Sequence, residues 1–317
     1  MGTAERRRGV LGAVGQRLAL IADSDLLHSF LESRIVIVAA MITLLMVTLA
    51  LFSPWIAPHD PFDLKTISLL DAHNPPAWET GGDRRFWLGT DDQGRDIFST
   101  ILFGTRISIL IGAASVVLAM LIGVSLGLIA GYVGGRTDAV IMRIADVQLT
   151  FPAILTALLV DGVARTLFGT HKSEGGEFTI LVISIGLSYW VQYARTVRGG
   201  ALVERDKDYV QAARLIGIKP LAIMFRHVLP NVMGPVLVIA TINVALAIIT
   251  EATLSFLGVG LPPTQPSLGT MIRTGNNFLM SGEWWIVAFP GLVLATLVLA
   301  VNLLGDWLRD ALNPKLR

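Results

Sequence analysis

The chain has 317 residues, of which 53% are hydrophobic and only 15% charged, with a formal net charge of +1. Soluble domains carry roughly a quarter charged residues, so this balance points to an integral membrane protein with several spans. A charge near zero gives no electrostatic support for nucleic-acid binding. The absence of cysteine excludes disulfides, thiol chemistry and cysteine-based zinc or iron–sulfur sites. The histidines, His28, His59, His73, His171 and His227, are scattered with no close pair, so no metal site is expected.

In chain order, residues 1–34 read as a basic cytoplasmic tail led by Arg6, Arg7 and Arg8, with a short amphipathic helix over 26–34. A first span is predicted over about 35–57, with Trp55 as an interfacial anchor. Residues 58–104 mix aromatics, prolines and acids around LGTDDQGRDIFST (Leu88–Thr100), the composition of an ordered extracytoplasmic loop. The second span, about 107–133, carries Ala119, Gly123, Gly127 and Gly131 at four-residue spacing, which lets another helix backbone approach one face. A third follows over about 143–162, kinked at Pro152. Its acids, Asp146 and Asp161, are too close in sequence to mark both ends of a bilayer core that needs about 20 residues. At least one must therefore sit near the boundary or face the protein, and a structural or interfacial role is favoured.

The fourth span covers about 179–195, the fifth 232–257 and the sixth 285–305. Asn243 and Glu251 lie inside the fifth. Glu251 reads either as a proton relay or as a carboxylate bonded to neighbouring backbone or hydroxyls, and the second reading is favoured. Six spans put both termini on one side. With the N-terminus inside, the cytoplasmic segments hold 17 of the 25 Lys and Arg. The positive-inside rule then places the polar island 195–231 in the cytoplasm.

That island predicts helix, tight turn, helix. Asp208 is placed to cap a first helix through Tyr209, Gln211, Ala212, Ala213 and Arg214, and Gly217 suits the left-handed position that ends it. Pro220 opens a second helix whose Leu221, Met224, Phe225 and Val228 form one apolar stripe, and Pro230 is expected to stop it. Ala212, Ala213, Gly217, Leu229 and Pro230 stand in the register of the EAA loop of bacterial ABC-importer permeases, with Gln211 replacing the acidic residue and His227 the isoleucine.

The likeness extends to Trp55-Ile56-Ala57-Pro58, Leu88-Gly89-Thr90-Asp91, Ala130-Gly131-Tyr132, Leu254-Ser255-Phe256-Leu257-Gly258 and Asn302-Leu303-Leu304-Gly305-Asp306. Over roughly residues 50–317 the chain resembles the C-type permease subunit of dipeptide, oligopeptide and nickel importers. The resemblance implies an all-α, six-span type I importer permease fold with both termini cytoplasmic, in the bacterial inner membrane. It implies half of a translocation pathway, paired with a homologous second permease, two ATPase subunits and an extracytoplasmic substrate-binding protein, all in membrane lipid.

The chain lacks the Gly-x4-Gly-Lys-Ser/Thr phosphate loop, so ATP and Mg belong to the partners and the chain itself is not an enzyme. The resemblance favours peptides as substrate, with nickel or another small solute as the alternative. An ion-coupled secondary transporter would place its coupling at Asp146, Asp161 or Glu251, and would show internal repeats that are not evident. An intramembrane enzyme would need a nucleophile–base pattern that the sequence does not contain.

Overall fold

The computed structural model describes residues 25–63, 67–168, 176–262 and 264–311. The basic stretch before residue 25, His171 in the expected loop 163–178, and the tail beyond 311 lie outside them. Twelve α-helices are described: α1 (Asp25–Glu32), α2 (Arg34–Leu51), α3 (Ser53–Ile56), α4 (Ile97–Val133), α5 (Gly135–Leu149), α6 (Ala153–Phe168), α7 (Gly176–Glu204), α8 (Asp208–Leu215), α9 (Pro220–Ile223), α10 (Leu229–Phe256), α11 (Leu268–Phe278) and α12 (Trp285–Ala311). No named strand occurs among the described residues.

The centre of the bundle is α4 against α7, and the small-residue stripe is the reason. A Cβ on Gly123 would sit 2.4 Å from the Trp190 carbonyl oxygen, and one on Gly127 2.4 Å from that of Ala194. The two backbones touch where side chains are missing, which is how membrane helices gain packing without a hydrophobic drive between them. Around this contact Leu181, Ile185, Tyr193, Val197 and Ala201 of α7 are fully buried, and α10 closes the core with Val236, Ala247 and Leu254.

Among the described residues, α2, α4, the run Pro220–Phe256 and α12 are each long and apolar enough to cross a membrane. The pair α5–α6 adds a fifth span if it counts as one. The expected fourth span lies in α7, which is 29 residues long but is not among these. The difference has a physical cause. Helix α7 is enclosed by neighbours, so Ser184, Tyr189, Trp190 and Tyr193 can be buried against protein rather than lipid. A helix shielded from lipid does not need uniform apolarity.

Two other boundaries differ from expectation. The helix of the second span begins at Ile97, ten residues early, and Asp96 starts it by accepting a hydrogen bond from Ser99 N at 2.9 Å. The expected single third span, 143–162, is two helices meeting at 101°. Pro152 lacks the N–H needed to continue a helix and disfavours helical backbone in the residue before it, so the chain breaks rather than kinks. Gln148 fills the crook, donating to Leu187 O at 2.5 Å and accepting from Trp190 Nε1 at 2.6 Å.

Among the described residues, the loop before α4 is held by polar contacts. Asp91 and Arg95 form a buried ion pair at 2.7 Å. Trp285 Nε1 donates to Thr90 O at 3.1 Å, and His73 Nδ1 lies 2.5 Å from Glu283 Oε2, so the loop grips the start of α12.

Candidate functional site

The island is a helical hairpin. Lys207 is the N-cap of α8, with no side-chain cap bond, and Asp208 is the first helical residue. The expected Asp208 cap is therefore corrected: the backbone is already extended at Lys207, so Asp208 falls one residue inside the helix, an acid in the first turn at the positive end of the helix dipole. Gly217 takes φ +80°. Its N–H donates to Arg214 O at 3.0 Å, and Ile218 N–H donates to Ala213 O at 3.1 Å. Those two bonds are the Schellman termination, which needs a left-handed residue at this position.

Pro230 does not stop the second helix. After α9 the backbone makes one π turn over Met224–Val228, with Leu229 N–H bonded to Met224 O, and continues into α10 with Pro230 in its first turn. The wider turn absorbs a proline ring that would clash in a regular helix. The expected stripe is divided: Met224 and Val228 are buried, together with Ile223, whereas Leu221 and Phe225 are 67% and 56% exposed. With Leu215 at 88% and Ile216 at 76%, they leave an apolar surface at the hairpin's tip. Ala213 packs inward with Val210, while Gln211, Ala212 and Arg214 are exposed.

A polar hub fixes the hairpin's base to the spans on either side. Glu204, the last residue of α7, accepts from Lys207 Nζ at 2.5 Å and from the Tyr209 hydroxyl. Asn231 of α10 donates to Tyr209 Oη at 2.9 Å and to His227 O at 2.7 Å. The Tyr209 and His227 rings stack at 6.5 Å. Lys207, then Tyr209, hold the Glu204 carboxyl below its ordinary value, and burial, followed by Glu204, raises the Tyr209 phenol. Tyr209 thus stays protonated and donates. Gln211 Nε2 donates to Arg205 O at 3.2 Å. The Arg214 guanidinium lies 4.9 Å from the Tyr132 ring at the end of α4, joining the hairpin to a third helix.

The four polar residues expected in spans do not converge. Asp146 is half exposed and paired with Arg195 at 2.5 Å. Asp161 is fully buried against Arg165 at 2.6 Å, and Arg165 also donates to Val259 O at 2.7 Å, tying α6 to the loop after α10. Asn243 is buried in α10 beside Tyr193 of α7. Glu251 is fully buried and accepts from Ser108 of α4 and Ser255, each at 2.7 Å.

Residues 123–317 match the family described as "binding-protein-dependent transport system inner membrane component", and residues 24–76 match the "N-terminal TM domain of oligopeptide transport permease C". The chain belongs to this family of inner-membrane transport permeases. The di/tripeptide transport system permease protein of Pseudomonas aeruginosa is 40% identical over 290 residues, 92% of this chain and 91% of that one. The dipeptide permease of Haemophilus influenzae is 39% identical over 288 residues, covering 91% and 93%. The oligopeptide permease of Bacillus subtilis is 39% identical over 293 residues, covering 92% and 90%. An inward-facing structure of the MetNI methionine ABC transporter has a TM-score of 0.52 at 18% identity, covering 68% of this chain and 96% of that one, a likeness of fold alone.

The permease is thus a multi-pass protein of the inner membrane, and a transport subunit rather than an enzyme. Sequence reading of the permease missed Glu204 and Asn231, the two ends of the hub. Glu204 carried a signal, standing three residues before Lys207, within reach on a helix. Asn231 carried none, because its role depends on the π turn that orients it.

Proposed function

We propose that this permease is the membrane-spanning subunit of an ATP-driven importer of di- and oligopeptides, forming half of the pathway and coupled to separate ATPase subunits through residues 195–231. The single observation that carries the reading is the hairpin: its tip presents Leu215, Ile216, Leu221 and Phe225 to solvent. Its base is bonded to the ends of both α7 and α10. A surface of that kind supports docking, and the bonds beneath it support transmission to the spans. The relatives' peptide substrates favour peptides over nickel or another small solute.

In this reading residues 1–34 form a cytoplasmic tail and 35–317 the permease domain. The six spans are α2, α4, the α5–α6 pair, α7, α10 and α12, with both termini cytoplasmic. A homologous permease, two ATPases and an extracytoplasmic binding protein complete the assembly. The local partners of Asp146, Asp161 and Glu251 support a structural role for each, which weakens the ion-coupled alternative. The test is purification of the tagged chain from its native membrane, with identification of what accompanies it. A second permease and P-loop ATPases are expected. Recovery of the chain alone, with uptake that does not need ATP, would overturn the proposal.

A further inference from the structure

A slot of about 310 Å³ runs between α2, α4, α10 and α12, within the membrane-spanning region. Its walls are almost wholly apolar, including Val47 of α2, Ile248 of α10, and Leu297, Val301, Leu304 and Leu308 of α12. The α12 positions recur at helical spacing on one face, and from residue 297 to 308 they rise about 16 Å at ~1.5 Å per residue. That matches half of a hydrocarbon core of about 30 Å, the depth of one leaflet. Helix α2 leaves the opening, since little of its surface is buried against the rest of the chain.

One end of the slot is polar. Trp307 lines it, and Trp307 Nε1 is buried with no hydrogen-bond partner among the described residues. Phe30 packs edge-on against the Trp307 ring at 5.2 Å, so this end lies where α1 meets α2, at the membrane boundary. Thr43 Oγ1, deeper in the slot, is also without a partner among the described residues. A threonine hydroxyl can turn back onto a carbonyl of its own helix, as Thr241 and Thr250 do here. An indole N–H has no such recourse and takes an acceptor from outside.

We propose that this slot holds one acyl chain of a phospholipid in the leaflet nearest Trp307, with an ester carbonyl accepting from Trp307 Nε1. Among the media a membrane protein meets at that depth, only an acyl chain combines a leaflet-long apolar body with a carbonyl acceptor at its outer end. Both signs flank this end in the sequence, Glu32 and Arg34 at the junction of α1 and α2 and Asp306, Arg309 and Asp310 beside Trp307 on α12. The site therefore reads the chain and its ester rather than headgroup charge. The proposal does not depend on the transport reading, and its test does not use transport.

The test is tryptophan emission of the full chain, purified with its partners after reconstitution with phospholipids carrying brominated acyl chains, then exchanged into detergent to strip bulk lipid. The wild-type minus Trp307→Phe difference isolates one indole. Expected is at least twofold quenching of that difference, equal for zwitterionic and anionic lipids, and its loss in Val301→Phe, which fills the slot. Retained quenching in Val301→Phe would overturn the site. So would an unquenched wild-type difference, which needs no slot variant to read. A cross-link from position 301 to a second permease would overturn it too, showing that a protein helix covers the slot.

Discussion

Replacing Gly217 by valine tests the hairpin with little collateral damage. A Cβ at this position would meet nothing within 4 Å, so the substitution causes no clash. The whole penalty is conformational: at φ +80° an L side chain sits in the left-handed region, at a cost of about 1–2 kcal/mol. β-Branching adds to it, because the two Cβ substituents leave few rotamers. A cost of one to two kcal/mol changes a two-state ratio by roughly 5–30-fold, and the ratio at stake is that between the closed Schellman turn and an open one. The two bonds from Gly217 N and Ile218 N would open with it, turning Leu215 and Ile216 away from Leu221 and Phe225. Membrane insertion and yield should match wild type, while ATP-dependent uptake by proteoliposomes falls several-fold. Gly217→Asn, which tolerates the left-handed region, should restore most of it. Wild-type uptake in Gly217→Val, or equal loss in both variants, would refute the reasoning.

Removing Arg165 should leave Asp161 buried without its ion-pair partner. An Arg165→Met chain should lose about 3–5 kcal/mol, read as a lower thermal midpoint in detergent, with recovery when Asp161→Asn is added. Gly127→Leu would force a Cβ to within 2.4 Å of Ala194 O, so α4 and α7 must part; a loss of about 1–3 kcal/mol or more is expected in the same assay. Tyr209→Phe removes one donor from the hub at a cost of about 0.5–1.5 kcal/mol, and should lower the coupling of ATP hydrolysis to uptake more than it lowers stability. Because the Glu204 carboxyl is held below its ordinary 4.5, its contribution is present above that pH and is lost as the pH falls through the depressed value. The difference in thermal midpoint between wild type and Glu204→Gln should therefore be flat at neutral pH and shrink in acid.

The hairpin and the glycine stripe were legible because both are local: a left-handed glycine and four-residue spacing act through the backbone's own geometry. The spans exposed to lipid were legible for the same reason, since lipid tests every residue. Helix α7 was harder to read because its neighbours replace lipid, so its tyrosines and serines depress the hydropathy that marks a span. The 101° break at Pro152 was read only as a kink, because a proline fixes the place of a bend while its size is set by what Gln148 finds at Leu187 and Trp190. The Leu221–Val228 stripe is divided at two places: Leu221 is exposed in α9, before the π turn, and the π turn shifts the phase of the residues from Met224 onward. Nothing in the composition of MFRHV announces such a turn, and Pro230 was a cue read as a stop.

The central claim is that the tip of this hairpin meets an ATPase subunit and moves with it. The chain has no cysteine, so Ile216→Cys places a single thiol on the exposed tip. Cross-linking from that thiol in native membranes should capture a P-loop ATPase, in a yield that changes between ATP-bound and nucleotide-free conditions. An Ile216→Cys chain that transports normally yet captures no ATPase in either condition would contradict the account.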